Sequence, residues 1–373
     1  MKENKKTAIV CGTPYQLFNA LDIICSDKSE TKYDIFCFDR FQNSDLYQKR
    51  SKKIKRINRF FLLNDYQKDY VNGKQLKGVL KYIHSAFLYL RPRNSIKKYF
   101  DNINDWKYTV SEKYDRIMAP TPSFLLQCLE KNNSKAILDY YEDGLGSYMG
   151  DFNADSASLS RKVFSRIFKV GYNVIPVRNL YVYSPDLCYS TVSKRINKLP
   201  AVTPAFLDIA DYVFGFYPQA IDKNDIIWLG QRRFDDTVVK ILEVLSKSNL
   251  NVLVRKHPKE NNIDRYHELG LEIDDGKNMW EMLLLKHDIA DNILVSSYST
   301  AVFTPKLLFD KEPYILLVYN LFDDIDTLHL KKTKQFVKLF RGIYEHKERI
   351  IIPKSFEEFE RIIKKLCNKK TGH

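Results

Sequence analysis

Three short groups of residues in this chain carry side chains suited to acid–base or phosphate chemistry. In chain order they are Glu142-Asp143-Gly144, Arg255-Lys256-His257-Pro258 and Ser296-Ser297-Tyr298-Ser299-Thr300. Adjacent carboxylates at the end of an apolar segment can supply a general base, and Gly144 permits a turn that would strain other residues. Proline restricts the residue before it to extended geometry, so the His257 imidazole is presented at a segment tip and not wound into a helix. Beside Arg255 and Lys256, that imidazole suits an anionic leaving group such as a phosphate, to bind or to protonate. The hydroxyl-rich run gathers Ser296, Ser297, Ser299 and Thr300 with backbone N–H groups where a strand meets a helix start, a setting that attracts phosphate. The same residues serve equally as a plain N-cap.

A fourth group, Gly12-Thr13-Pro14-Tyr15-Gln16, closes the first apolar run. It lacks the second and third glycines of a dinucleotide fingerprint, and the chain has no Walker loop, which argues against nicotinamide cofactors and ATP. What is left is a turn in which Gly12, Thr13 and Gln16 can touch sugar hydroxyls. Acid pairs recur at Asp274-Asp275-Gly276 and at Asp235-Asp236, so an acid pair alone is a cheap pattern. The triplet Asp324-Ile325-Asp326 resembles carboxylate sets that hold a divalent ion between two phosphates. It lies past the last core strand in an acidic stretch and is set aside; no metal and no cofactor are expected. The six cysteines form no C-x-x-C pair and sit mostly in apolar segments, as small hydrophobes do.

The elements that must position these groups alternate. Thr7–Cys11, Tyr33–Phe38, Tyr114–Met118 and Ala136–Tyr141 read as strands, with helical spacing over Tyr15–Cys25 and Ser123–Glu130. Residues 43–105 are polar, basic and aromatic, with a helical pattern from Leu80 to Leu88. The alternation restarts with strands at Ile226–Gly230, Asn251–Arg255, Asn292–Val295 and Tyr314–Val318, and helices at Asp236–Lys247, Met279–Leu285, Ala301–Phe309 and Phe356–Cys367. Such alternation marks open parallel sheets, whose ligands bind beyond the carboxyl ends of the strands. The expected architecture is α/β: residues 1–190 as one Rossmann-like domain, 191–222 as a Pro-punctuated linker, and 223–373 as a second Rossmann-like domain ending in a helix, the two facing across a cleft.

A chain of 373 residues, 44% hydrophobic, is long enough for two cores. Its opening, MKENKKTAIVCGTP, reads as a first strand, too short for a signal-peptide core, so a cytoplasmic location is expected. The net charge is +14, from 60 Lys and Arg against 46 Asp and Glu. Basic residues cluster at Lys49–Arg56, at Arg91-Pro92-Arg93 and near the C-terminus. With no zinc-finger spacing and no aromatic RNP-type run, nucleic acid is a poorer explanation than an anionic substrate or an anionic membrane surface.

In this order and spacing, Glu142-Asp143-Gly144, His257-Pro258 and Ser296-Ser297 resemble the acid-acid-Gly, His-Pro and Ser-Ser signatures of bacterial sialyltransferases. The opening Val10-Cys11-Gly12-Thr13-Pro14-Tyr15-Gln16-Leu17 is similar to the start of glycosyltransferase family 52 proteins. The resemblance implies a GT-B fold and inverting transfer of sialic acid from CMP-sialic acid to a galactose-containing glycan of capsule or lipooligosaccharide. It implies Asp143, or Glu142 beside it, as the base, His257 on the departing phosphate, and Ser296 and Ser297 holding that phosphate. Gly144 and Pro258 shape their motifs. Gly230 and Glu281 would line the ribose and cytosine. The implied partners are CMP-sialic acid, a galactoside acceptor, the membrane periphery and a second copy of the chain, with no nucleic acid. Asp235 or Asp236, upstream of the His-Pro motif, competes for the role of base. Transfer of another sugar, sugar-nucleotide epimerisation, and non-catalytic membrane or nucleic-acid binding stand as alternatives.

Overall fold

The computed structural model describes residues 5–64, 91–150, 176–219, 221, 223–257, 260, 262–323 and 327–371. Pro258, the Asp324–Asp326 triplet and the Leu80–Leu88 pattern lie outside the described residues.

The chain forms two units, Met1–Phe214 and Gly215–His373. In the first, seven strands run parallel: β1 (Lys6–Cys11), β2 (Lys32–Phe38), β3 (Ile57–Leu63), β4 (Arg116–Ala119), β5 (Ile137–Tyr141), β6 (Asn179–Val182) and β7 (Ile196–Lys198). Their order is β3-β2-β1-β4-β5-β6-β7. In the second, β8 (Ile226–Leu229), β9 (Val252–Arg255), β10 (Glu272–Ile273), β11 (Ile293–Ser296), β12 (Tyr314–Leu317) and β13 (Ile350–Ile351) form a parallel sheet of order β10-β9-β8-β11-β12-β13. Both are the doubly wound order, in which the chain reverses direction across the sheet beside its first strand. That switch point falls between β1 and β4 in the first unit and between β8 and β11 in the second.

The central strands are legible because parallel strands covered on both faces become continuous apolar runs. Ala8, Ile9, Ile35, Phe36 and Ile117 in the first sheet are all fully buried. Three of the longer connecting helices start on a side chain that satisfies an open N–H group. Thr13 caps Pro14–Ser26, Ser123 caps Phe124–Asn132 and Asp235 caps Asp236–Ser246. In the second unit the helix Phe356–Thr371 closes the core with Phe359, Ile363 and Leu366, one helical face set against a cluster containing Trp228, Ile241, Val254 and Leu316.

The division between units falls later than the sequence suggests. The expected linker contains β7, which extends the first sheet, and the helix Pro204–Phe214, which folds back onto the first unit. Phe206 meets Phe18 edge-on at 4.9 Å, Phe214 meets Tyr47 at 5.0 Å, and Arg50 Nη1 donates to the Val213 carbonyl at 3.1 Å. The helical pattern of Ala205–Phe214 is legible in the sequence, and Pro204 is the first residue of the helix. No helix among the described residues is long and apolar enough to cross a membrane.

Candidate active site

In the first unit, β5 delivers Glu142 and Asp143 to the carboxyl edge of the sheet, and Gly144 turns the chain with φ of +87°, a backbone state that favours glycine. The two carboxylates then meet different surroundings. Glu142 is fully buried. Its Oε1 accepts from the Tyr15 hydroxyl at 2.8 Å, and its Oε2 from the Tyr148 hydroxyl at 2.6 Å and the Tyr183 N–H at 2.9 Å. Its carbonyl accepts from Asn19 Nδ2 at 3.0 Å, and Asn19 in turn accepts from the Tyr183 hydroxyl at 2.8 Å. Burial pushes the Glu142 carboxyl up to about 7, against the lowering effect of those three donors.

Asp143 keeps part of its surface open. Gln16 Nε2 donates to its Oδ1 at 2.5 Å, while Gln16 Oε1 accepts from the Gly12 N–H at 2.6 Å. Gln16 thus ties the end of β1 to the acid at the end of β5, and its own amide is committed to that task. The Asp143 N–H is held by Ser147 Oγ at 2.8 Å. Desolvation raises the Asp143 carboxyl to about 6, with Gln16 opposing the rise. An oriented carboxylate with an open side and a pKa close to neutrality can take a proton from a hydroxyl. Glu142, saturated and enclosed, positions it.

Stability tests this division. Glu142→Ala leaves Tyr15, Tyr148 and the Tyr183 N–H without their acceptor, at a cost of about 3 kcal/mol or more, seen as a melting temperature lowered by roughly 6–12 °C. Glu142→Gln keeps the shape and cannot ionise. Because the native carboxyl holds its proton to higher pH than the unfolded one, its contribution is complete at low pH and is lost as pH rises through about 7. Melting curves of Glu142→Gln should therefore gain on the parent between pH 5 and pH 8; a constant gap would contradict the raised pKa.

In the second unit, β9 carries Arg255 to the carboxyl edge. Its guanidinium pairs with Asp274, donates to the Asn278 carbonyl at 2.6 Å and lies 5.7 Å from the Trp280 ring centre. Arg255 is therefore committed to structure, and Asp274-Asp275-Gly276 is the turn that receives it: Asp274 Oδ1 also accepts from the Gly276 N–H at 2.9 Å, and Gly276 has φ of +71°. Asp275 pairs with Lys277 at the surface. Asp235 accepts from the Val238 N–H at 3.1 Å as a helix cap and pairs with Arg233, so it too has a structural task.

His257 follows at the tip, half-buried. A methyl group added to Gly230 would lie 3.2 Å from the His257 backbone nitrogen, 3.2 Å from Glu260 Oε2 and 3.3 Å from the Arg255 carbonyl. The absence of a side chain at Gly230 thus lets β8 and the loop after β9 approach this closely. The Glu260 N–H donates to the His257 carbonyl at 2.9 Å and Lys256 Nζ to the Glu260 carbonyl at 3.3 Å, closing the loop on itself. Glu260 is 3% exposed, and burial raises its carboxyl while Tyr266, the His257 N–H and Lys256 oppose the rise.

At the switch point beside β8, Ser296 is fully buried and its hydroxyl donates to the Leu229 carbonyl at 2.7 Å. This corrects the expectation that Ser296 offers its hydroxyl to a phosphate: it pins β11 to β8 and accepts from the Ser299 N–H at 3.3 Å. Ser297 is 6% exposed, and Ser299 caps the short helix Thr300–Val302 through the Ala301 N–H at 3.3 Å. With its amide oxygen turned toward this loop, Gln231 accepts from the N–H groups of Tyr298 at 3.1 Å and Ser299 at 2.7 Å. Trp280 Nε1 donates to the Ala301 carbonyl at 2.9 Å, which brings the helix Trp280–Lys286 and its buried Glu281 to the same edge. Burial raises the Glu281 carboxyl, with Arg255 opposing. Gly230, His257, Glu281 and the Ser296–Thr300 loop therefore share one sheet edge.

Four participants escape a reading of the sequence alone: Tyr15, which sits in the Gly12–Gln16 group without a role assigned to it, Tyr148 and Gln231, and Glu260, three residues past His257. A carboxylate following His-Pro in a basic run is the one signal that was available.

No known family and no curated protein matches the sequence. Solved structures do. UGT2 of Phytolacca americana, in its apo form, covers 98% of this chain and 92% of its own, with a TM-score of 0.50 at 8% identity. MurG of Acinetobacter baumannii covers 99% and 95%, with a TM-score of 0.43 at 10% identity. The UDP-GlcNAc 2-epimerase of Neisseria meningitidis, bound to UDP-GlcNAc, covers 98% and 100%, with a TM-score of 0.45 at 12% identity. At such identities the likeness is one of fold, and the fold is GT-B, two Rossmann-like units in series.

Proposed function

We propose that this chain is a cytoplasmic, inverting glycosyltransferase that moves sialic acid from CMP-sialic acid to a galactose-containing acceptor of a bacterial surface glycan. The observation that carries the reading is Asp143: a carboxylate at a strand's carboxyl edge, oriented by Gln16, partly open and raised to about 6. In the transfer, the acceptor hydroxyl gives its proton to Asp143 as its oxygen bonds to the anomeric carbon. The bond from that carbon to the CMP phosphate breaks, and the phosphate leaves with the electron pair. His257 stabilises or protonates it, and the hydroxyls of Ser297, Ser299 and Thr300 hold it. Gly230 and Glu281 line the nucleoside. A single phosphate needs no metal bridge between two phosphates.

Incubation with CMP-sialic acid and a galactoside, with and without EDTA, tests this. Release of CMP together with an acceptor product heavier by one sialic acid, unchanged by EDTA, is the expected result. Turnover of UDP-sugars alone refutes the donor and leaves sugar transfer standing. A donor isomerised at constant mass replaces transfer by epimerisation.

A further inference from the structure

Cations gather on one edge of the first unit's sheet. Every loop leading into a strand of the first sheet brings cations to its amino edge, the edge opposite Asp143. Lys5 and Lys6 precede or begin β1, and Lys28 and Lys32 lead into β2. Lys52, Lys53, Lys55 and Arg56 lead into β3. Lys113 and Arg116 stand before and at the start of β4, Lys131 and Lys135 before β5, Arg178 before β6, and Lys194 and Arg195 before β7. Among the described residues just before these strands the acids are Asp27, Glu30, Glu112, Asp115 and Glu130; Glu130 is buried beside Lys131, and three of the others are engaged. Asp27 pairs with Arg56 at 3.3 Å, Glu112 with Lys6 at 2.7 Å, and Asp115 accepts from the Lys6 N–H at 2.9 Å.

The second sheet provides an internal comparison. Its corresponding loops mix signs, with Lys223 and Asp225 before β8, Asp288 and Asp291 before β11, and Lys311 and Glu312 before β12. The basic face is thus a property of the first unit and not of the chain as a whole.

We propose that this amino edge of the first sheet is a docking face for an anionic lipid bilayer. Seven strands spaced by about 4.8 Å make a face roughly 30 Å wide, too broad for a single strand of nucleic acid and suited to a surface carrying many phosphates. Base stacking needs exposed rings. Tyr33 and Tyr114 are 3% and 4% exposed, and their hydroxyls donate to Asp27 at 2.6 Å and Asp34 at 2.8 Å, while Tyr212, 43% exposed, is one ring with Lys53 Nζ 5.3 Å from its centre and not the row that successive bases stack on. A groove of about 840 Å³ opens among the loops before β1, β2, β4 and β5, with Lys5, Lys113, Arg116 and Lys135 around Ser29 and Thr31, room for a lipid headgroup between cations and hydroxyls. Lysines near an anionic leaflet each strengthen binding about fivefold. The inference does not depend on the donor or on catalysis.

Co-sedimentation with vesicles tests it. The full chain is expected to bind vesicles that are about one-third phosphatidylglycerol in phosphatidylcholine, to leave pure phosphatidylcholine in solution, and to be released by roughly 0.5 M salt, at which fields beyond a few ångströms are screened. The triple variant Lys28→Gln, Lys52→Gln, Lys135→Gln should lose binding by about a hundredfold, with an unchanged melting temperature. The variant Lys223→Gln, Lys247→Gln, Lys347→Gln, with the same net charge on the second unit, should bind within a few-fold of the parent. Equal losses in the two triples overturn the face, failure of the parent to bind overturns the bilayer, and duplex DNA bound more tightly than vesicles through the same lysines replaces it with nucleic acid.

Discussion

Asp143→Asn is expected to lower kcat by between about a hundredfold and ten-thousandfold, the range for loss of a positioned general base, with the donor KM little changed. Asn keeps the acceptor oxygen for Gln16 Nε2, so the bridge between the ends of β1 and β5 can persist and the protein should melt near the parent temperature. What disappears is the capacity to take a proton. The pH profile separates this from a structural defect. A base raised to about 6 is protonated below that value, so kcat/KM of the parent should fall tenfold per unit as pH drops beneath 6 and level off above it. In Asp143→Asn that limb should vanish and leave a low, flat profile. Asp235→Asn is the control, because Asp235 caps a helix through the Val238 N–H and is paired with Arg233. Asn caps a helix as well as Asp does, so this variant should melt near the parent and leave the limb in place. Retention of the acid limb in Asp143→Asn would return the role of base to another carboxylate.

The physics that makes the fold readable also explains what stays hidden. The central strands are buried on both faces and so appear as unbroken apolar runs. The edge strands are not. β3 begins Ile57-Asn58-Arg59 with Asn58 and Arg59 exposed, inside the most basic stretch of the chain, and so passes for irregular sequence. β7 is two half-exposed residues and an exposed lysine, and the lysines of the helix Thr327–Gly342 mask the spacing of Phe336, Val337 and Phe340. At the site, the sequence places two acids together and cannot rank them. The ranking comes from Tyr15, 127 positions away, and Tyr183, 41 positions away, which close around Glu142 and leave Asp143 open. The same holds for charge: Arg255 and Lys256 flank His257 in sequence, yet Arg255 is taken by Asp274 and Lys256 by the loop's own carbonyl. Proximity along the chain suggests a basic phosphate site; the folded partners assign those two cations to holding the histidine's loop.

In the proposed transfer it is His257 that meets the leaving phosphate, and the largest single loss after Asp143 is expected there. His257→Ala should reduce turnover by roughly a hundredfold or more if the imidazole gives up a proton or its charge to the departing CMP. The loop should survive the substitution, because Gly230 packs against backbone and the Glu260 N–H bonds the His257 carbonyl; neither contact uses the ring. Two measurements separate the possible tasks. If the ring protonates the leaving group, an activated aryl sialoside, whose phenolate departs without a proton, should lose far less from His257→Ala than CMP-sialic acid does. If the ring only binds phosphate in the ground state, the donor KM should rise while kcat holds. A parent-like rate at saturating and at low donor would remove His257 from the reaction. The close approach of Gly230 to the His257 backbone would then be packing at the end of a strand, and the phosphate would be held by the Ser297–Thr300 loop alone.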